Sequence, residues 1–125
     1  MNKAEVERYE KLDIQIHGIY NELGVLSKKS PDSAINKFKL GFVNQLLSEA
    51  NSLLGIEQKP FKNFELFDSD DIPSNSDVVL VVSQYISCLE RLKRDNVKME
   101  GGRYIWNVSD YKWGVETSRP ELSLD

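Results

Sequence analysis

Apolar residues in the N-terminal stretch fall at Tyr9, Leu12, Ile16, Ile19, Leu23 and Leu26. This 3-4-3-4-3 spacing lines one seam of a helix. Ile14 and Tyr20 widen the seam, and Glu5, Glu7 and Glu10 suit the positive N-terminal end of the helix dipole. A first helix is predicted over about 3–26. Ser30-Pro31-Asp32 then offers a capping oxygen followed by a residue with no N–H to leave unpaired. A second helix is predicted over 31–54, ended by Gly55. Its apolar positions occupy two faces, 35/38/42/46/53 and 43/47/50/54. A stripe that wide implies burial against two neighbours.

Residues 56–76 lose the periodicity. They hold Pro60, Pro73 and the string Asp68-Ser69-Asp70-Asp71, yet Phe61, Phe64, Leu66 and Phe67 are apolar enough to lie down on the core. Helical spacing returns at Val78, Val82, Tyr85, Ile86, Leu89 and Leu92, with Asn75-Ser76-Asp77 as capping side chains and Arg91, Lys93 and Arg94 near the end. A third helix is predicted over 77–95. Beyond it the pattern alternates around Gly101-Gly102, which predicts strands at 97–99 and 103–108 joined by a two-residue turn. Tyr111, Trp113 and Val115 alternate again and suggest a third strand over 111–116. Residues 117–125 read as a tail.

The expected fold class is therefore α+β. Three antiparallel helices form the core with the second central, and a small C-terminal hairpin or meander lies against them. A chain of 125 residues, 40% hydrophobic and 29% charged, suits a single domain over 1–125 that buries one core. Its net charge of −4 is too small to hold it open. Three of those four negative charges are concentrated in residues 56–76.

One cysteine and one histidine cannot supply the four N or S ligands of a structural zinc site. No metal or cofactor is expected. No disulfide can form within the chain, the N-terminal stretch MNKAEVERYEKLD lacks the apolar run of a signal peptide, and no window reaches a membrane span. Cytoplasmic location without membrane association is expected. The acids at 68, 70 and 71 lack the spacing of a calcium loop and read as residues that cap their own turn. His17 follows Asp13 by four residues, so a carboxylate could orient its imidazole. No nucleophile or oxyanion motif accompanies the pair, and Cys88 sits at helical spacing from Val81, Tyr85 and Leu92, as a buried thiol would. No phosphate-cradling loop is present, and no catalytic residue is assigned.

Basic and aromatic residues concentrate toward the C-terminus, and Arg91, Arg94, Arg103, Tyr104, Trp106 and Trp113 are the candidate binding residues. Such a set could stack single-stranded nucleic acid. A sequence pI near 5.1 argues against a polyanion partner. Trp, Tyr and Arg are also the residues that dominate protein-binding hot spots. The function expected is a small protein-interaction or regulatory module whose partner is another protein. A monomer is expected ahead of a homodimer. The alternatives are a small enzyme using carboxylates or His17 in a pocket, and a nucleic-acid binder.

Overall fold

In a computed structural model, which describes residues 1–121, the chain forms three helices followed by a three-stranded sheet. These are α1 (Lys3–Lys29), α2 (Lys37–Gln58), α3 (Asn75–Asn96), β1 (Val97–Glu100), β2 (Arg103–Trp106) and β3 (Val115–Thr117). The α+β class is as the periodicity predicts.

Helix α1 starts on a capping box. The Glu5 N–H donates to the Asn2 side chain at 2.8 Å, and the Asn2 N–H donates back to the Glu5 carboxylate at 3.0 Å. Its heptad seam is buried at Tyr9, Leu12, Ile16 and Leu23 and half-buried at Ile19 and Leu26. Ile14, expected to widen that seam, instead projects into water with 76% of its surface exposed.

Helix α2 begins six residues later than the Ser30-Pro31 signature suggests. Residues 31–35 are engaged elsewhere: the Ile35 N–H bonds the Pro73 carbonyl at 3.0 Å, and the Asn75 and Ser76 N–H groups bond the Ser33 and Pro31 carbonyls. Asn36 becomes the cap, accepting from the Phe38 and Lys39 N–H groups. At the other end Gly55 takes φ +72, as a terminating glycine would, but one further helical turn follows the kink. Only the face at Leu40, Val43, Leu47, Ala50 and Leu54 is buried. Phe38 and Phe42, expected inside, are 73% and 48% exposed.

The irregular segment is pinned to α2 by side-chain amides. Asn44 donates to the Phe67 carbonyl and accepts its N–H, each at 2.9 Å, and Asn51 donates to the Glu65 carbonyl at 2.9 Å. Phe61, Phe64 and Phe67 stack edge to face beneath it, although Leu66 stays half in water. Asp68 caps its own turn by accepting from the Asp70 N–H at 2.9 Å, as expected of this acidic string.

This long return sets the helix directions. Arg8 meets Glu49 and Glu22 meets Lys39, so α1 and α2 run antiparallel. Ser30 meets Asn75 and Tyr9 meets Leu89, so α1 and α3 also run antiparallel. Helices α2 and α3 therefore point the same way, an arrangement a short hairpin could not make and the connection of residues 59–74 can. All three helices pack on one another, α1 with α3 most extensively.

Helix α3, capped by Ser74, passes directly into β1 through an extended Val97. Gly101 and Gly102, both at positive φ, make the two-residue turn to β2, and β3 pairs with the other edge of β2 to complete an antiparallel meander. The third strand occupies 115–117 rather than 111–116. Its predicted first half is a turn closed by the Gly114 N–H on the Tyr111 carbonyl. Gly114 has φ +69, and a Cβ there would lie 2.5 Å from the Ile105 side chain and 2.7 Å from the Trp106 carbonyl oxygen. Only glycine lets the turn press so closely on β2.

The sheet closes the end of the core where α1 begins and α3 finishes. The loop after β2 caps α1, with the Lys3 N–H donating to Asp110 at 2.8 Å and the Ser109 N–H to the Met1 carbonyl at 2.9 Å. The expected tail is attached as far as it is described: Thr117 belongs to β3, Ser118 accepts from Lys93 and Pro120 is buried. Its residues 122–125 lie outside the described residues. Among those described, no helix is long and apolar enough to cross a membrane.

Candidate functional site

The C-terminal residues singled out by sequence do not form one surface. Trp106 is wholly buried. Its ring stands edge-on to Tyr9 with centroids 4.9 Å apart, and its indole N–H donates to the Glu10 carboxylate at 2.7 Å. It is a core residue and cannot touch a partner. The alternation that marked it as part of an aromatic strand holds, but it turns the ring toward the helices rather than toward solvent. Tyr104, two residues earlier on β2, shares the face of Trp106 and is half-buried at the edge of the core. Arg94 pairs with its neighbour Asp95 at 3.0 Å, and Arg103 reaches Glu116 across the sheet at 3.8 Å. Arg91 is exposed on α3, and Trp113 is exposed on the 109–114 turn with the Lys112 ammonium over its ring. Among the described residues no hydrogen bond, ion pair or ring contact joins any two of the six.

A larger feature lies along the outer side of the α1–α2 hairpin. The two antiparallel helices enclose a groove of about 1120 Å³. Two glycines, Gly18 on α1 and Gly41 on α2, leave its walls low, since a Cβ at either would meet nothing within 4 Å. Ile14, Phe42 and Leu66 stand along it, and Phe38 extends the apolar strip through an edge-on contact with Phe42 at 4.9 Å. Charge gathers toward the two ends, with Lys11 beside Arg8, and uncharged Gln15, Asn44, Gln45 and Ser48 line the stretch between. Arg8 grips Glu49 at 2.9 Å and also reaches Ser52 at one end, and Lys39 meets Glu22 at 3.3 Å at the other. The Arg8 hydrogen bond holds the Glu49 carboxyl below its ordinary range, with some opposition from partial burial. From residue 8 at one charged end to residue 22 at the other, the groove spans about 21 Å at 1.5 Å per helical residue.

Sequence periodicity did not expose this groove, because Phe38 and Phe42 look like core residues wherever helical spacing is the only information. The one clue was a helix-two stripe wider than a single neighbour can cover.

A second cluster sits between α1 and α3. Asp13 and His17, one turn apart, place Oδ1 and Nδ1 3.2 Å from each other, and Nδ1 also lies 2.8 Å from the Asp13 carbonyl oxygen. Glu90 reaches them from α3. Burial raises the carboxyl pKa of both acids above the ordinary range. His17 is the main opposing influence at Asp13, and the Glu121 backbone N–H is the main one at Glu90. Nearby, Tyr9 donates its hydroxyl to the Leu89 carbonyl at 2.8 Å, and its burial raises the phenol pKa strongly. The Asp13–His17 pair was legible in the i, i+4 spacing. The arrival of Glu90 was not, because it depends on how α3 packs.

Cys88 is half-buried on α3, and burial pushes its thiol pKa up, with Arg91 opposing. It does not belong to either cluster. Comparison of the chain with family models, curated proteins and solved structures finds no match, so these two sites have to be read from their own chemistry.

Proposed function

We propose that this chain is a protein-interaction module that seats an amphipathic helix of a partner protein in the α1–α2 groove. The observation that carries the reading is the set of apolar side chains left in water along a trough between two antiparallel helices: Ile14, Phe42 and Leu66 line it, and Phe38 adjoins it through Phe42. Large side chains scattered singly on a surface need no explanation, but a contiguous apolar strip marks an interaction site. The shape selects the occupant. A trough with glycines in both walls and a length of about 21 Å accepts roughly fourteen residues of helix, anchored by apolar side chains at i, i+3, i+4 and i+7. The ion pairs at both ends favour a partner whose central turns are uncharged. The C-terminal basic and aromatic residues support nucleic-acid binding less well, since the best stacking platform, Trp106, is inside the core.

The test compares two folded variants. Ile14→Glu/Phe42→Glu places two carboxylates in the groove, and Trp113→Ala alters the C-terminal surface. Proteins retained from the source cell by the unmodified chain are purified, and their affinities are measured by calorimetry. The expected result is a loss of at least about tenfold for the groove variant, roughly 1.4 kcal/mol, with no change for Trp113→Ala. Loss on the Trp113→Ala variant alone would overturn the reading.

A further inference from the structure

We infer that Asp13, His17 and Glu90 form a binding site for a first-row divalent transition ion, of which Zn²⁺ is the probe of choice. This inference is independent of the groove. Three donors of the right kinds, a carboxylate oxygen from each acid and a ring nitrogen, lie within 4.8 Å of one another. With metal–ligand bonds of 2.0–2.1 Å, the donors of a tetrahedral site stand about 3.4 Å apart. The edge between Asp13 Oδ1 and His17 Nδ1 is already at 3.2 Å, and the ion takes the place of the Nδ1 proton that the Asp13 carbonyl oxygen accepts at 2.8 Å. Closing the wider edges takes a rotation of the Glu90 side chain, which carries no ion pair but exchanges its hydrogen bond from the Glu121 N–H for the ion.

The second observation concerns charge. Glu90 is only 6% exposed, and among the described residues its carboxylate accepts one hydrogen bond, from the Glu121 N–H to Oε2 at 3.3 Å. A carboxylate offers about four lone-pair sites, and buried charges are ordinarily paired or bound to a metal. No Lys or Arg nitrogen of the described residues comes within 4.0 Å of either Asp13 or Glu90. The nearest candidate, Lys93, is itself buried but committed elsewhere. Its ammonium donates to Ser118 at 2.9 Å and lies 6.0 Å from the centre of the Trp106 ring. Two partly desolvated acids and an imidazole thus converge on a place where, among the described residues, no Lys or Arg makes an ion pair with either acid and Lys93 acts on them only from a distance.

The donor set also selects the ion. One imidazole and two carboxylates are too few oxygens for Ca²⁺, which takes six to eight, and the nitrogen suits Zn²⁺ or Co²⁺ better than Mg²⁺. Three protein ligands leave a fourth position, and the half-exposed His17 and Asp13 side chains mark the side from which water or a ligand atom would reach it. Counting only cysteine and histidine conceals such a site, because it is the carboxylates that complete it.

The experiment titrates full-length protein, stripped with a chelator, with Zn²⁺ by calorimetry and with Co²⁺ by visible absorption. The variants are His17→Ala, Glu90→Gln and, as an out-of-site control, Glu57→Gln. The inference predicts one Zn²⁺ per chain and the intense absorption of four-coordinate Co²⁺. Affinity should weaken at least about tenfold in each site variant and stay unchanged in the control. Equal affinity in the unmodified chain and in both site variants would overturn it, as would the absence of one-to-one binding. Circular dichroism of each variant establishes that the fold persists, and Glu90→Gln, nearly isosteric, serves if His17→Ala does not fold.

Discussion

Replacing Trp106 by Phe tests how the sheet is locked to the helices. The indole fills the space between α1 and β2, keeps an edge-on contact with Tyr9 and donates to Glu10, which also accepts from the Thr117 hydroxyl at 2.7 Å. Phenylalanine retains most of the apolar ring but has no N–H. A hydrogen bond to a carboxylate contributes about 1.5–3 kcal/mol, and the space left by the smaller ring costs on the order of 1 kcal/mol more. The expected destabilisation is about 3 kcal/mol, or roughly 10 °C in melting temperature for a chain of this size. Urea unfolding followed by circular dichroism reads it as a lower midpoint at unchanged slope. Trp113→Phe is the control: that ring is 74% exposed, so the change should be within about 0.5 kcal/mol. A cycle with Glu10→Gln should return a coupling of at least about 0.5 kcal/mol. If Trp106→Phe costs less than about 1 kcal/mol and shows no coupling to Glu10, the sheet is not anchored through this residue.

Gly114→Ala should lose at least about 2 kcal/mol, because it combines a positive φ with two close contacts, whereas Gly18→Ala, in a helix with open space, should gain about 0.5–1 kcal/mol. Chemical denaturation of the two variants separates them by sign. Cys88, its thiol pKa raised by burial, should react with a disulfide reagent at least about tenfold more slowly than a free thiol and at the free rate in denaturant; fast native labelling would place the thiol at the surface. The Arg8–Glu49 bond lowers the Glu49 pKa, so its contribution is present above the ordinary Glu value of 4.5 and fades as pH falls through the lowered folded value. Both side chains are more than one-third exposed, which limits the effect to under about 1 kcal/mol. Arg8→Met should therefore flatten the acid limb of the stability profile slightly, and an unchanged profile would contradict the assignment.

How much of this was legible in the chain depends on whether a residue's role is local. The α1 seam, the α3 stripe and the Gly101-Gly102 turn follow from spacing and backbone preference alone, and all three are found. The α2 start was misplaced because Ser30-Pro31 is a sound local signal that loses to a nonlocal one, the pairing of residues 31–35 with 73–76. The direction of α3 depends on a connection whose path no periodicity encodes. Phe38, Phe42 and Ile14 carry the same apolar character as core residues, and only the assembled hairpin leaves them outside. Trp106 and Trp113 are the converse case. Both belong to an aromatic alternation, yet one sits at the centre of the core and the other at the tip of a turn. Of the candidate sites, two of the three members of the polar cluster were visible as Asp13 and His17, and Glu90 joined them through packing.

The central claim is that the α1–α2 groove receives a partner helix, and cross-linking from within the groove tests it most directly. A photoreactive p-benzoylphenylalanine is placed at position 42 in one protein and at position 113 in another, each is irradiated in the source cell, and the adducts are identified by peptide mass spectrometry. The account predicts adducts from position 42, mapped to a segment of another protein whose apolar residues recur at i, i+3, i+4 and i+7, and none of that protein from position 113. Adducts from position 113 with none from position 42 would contradict it.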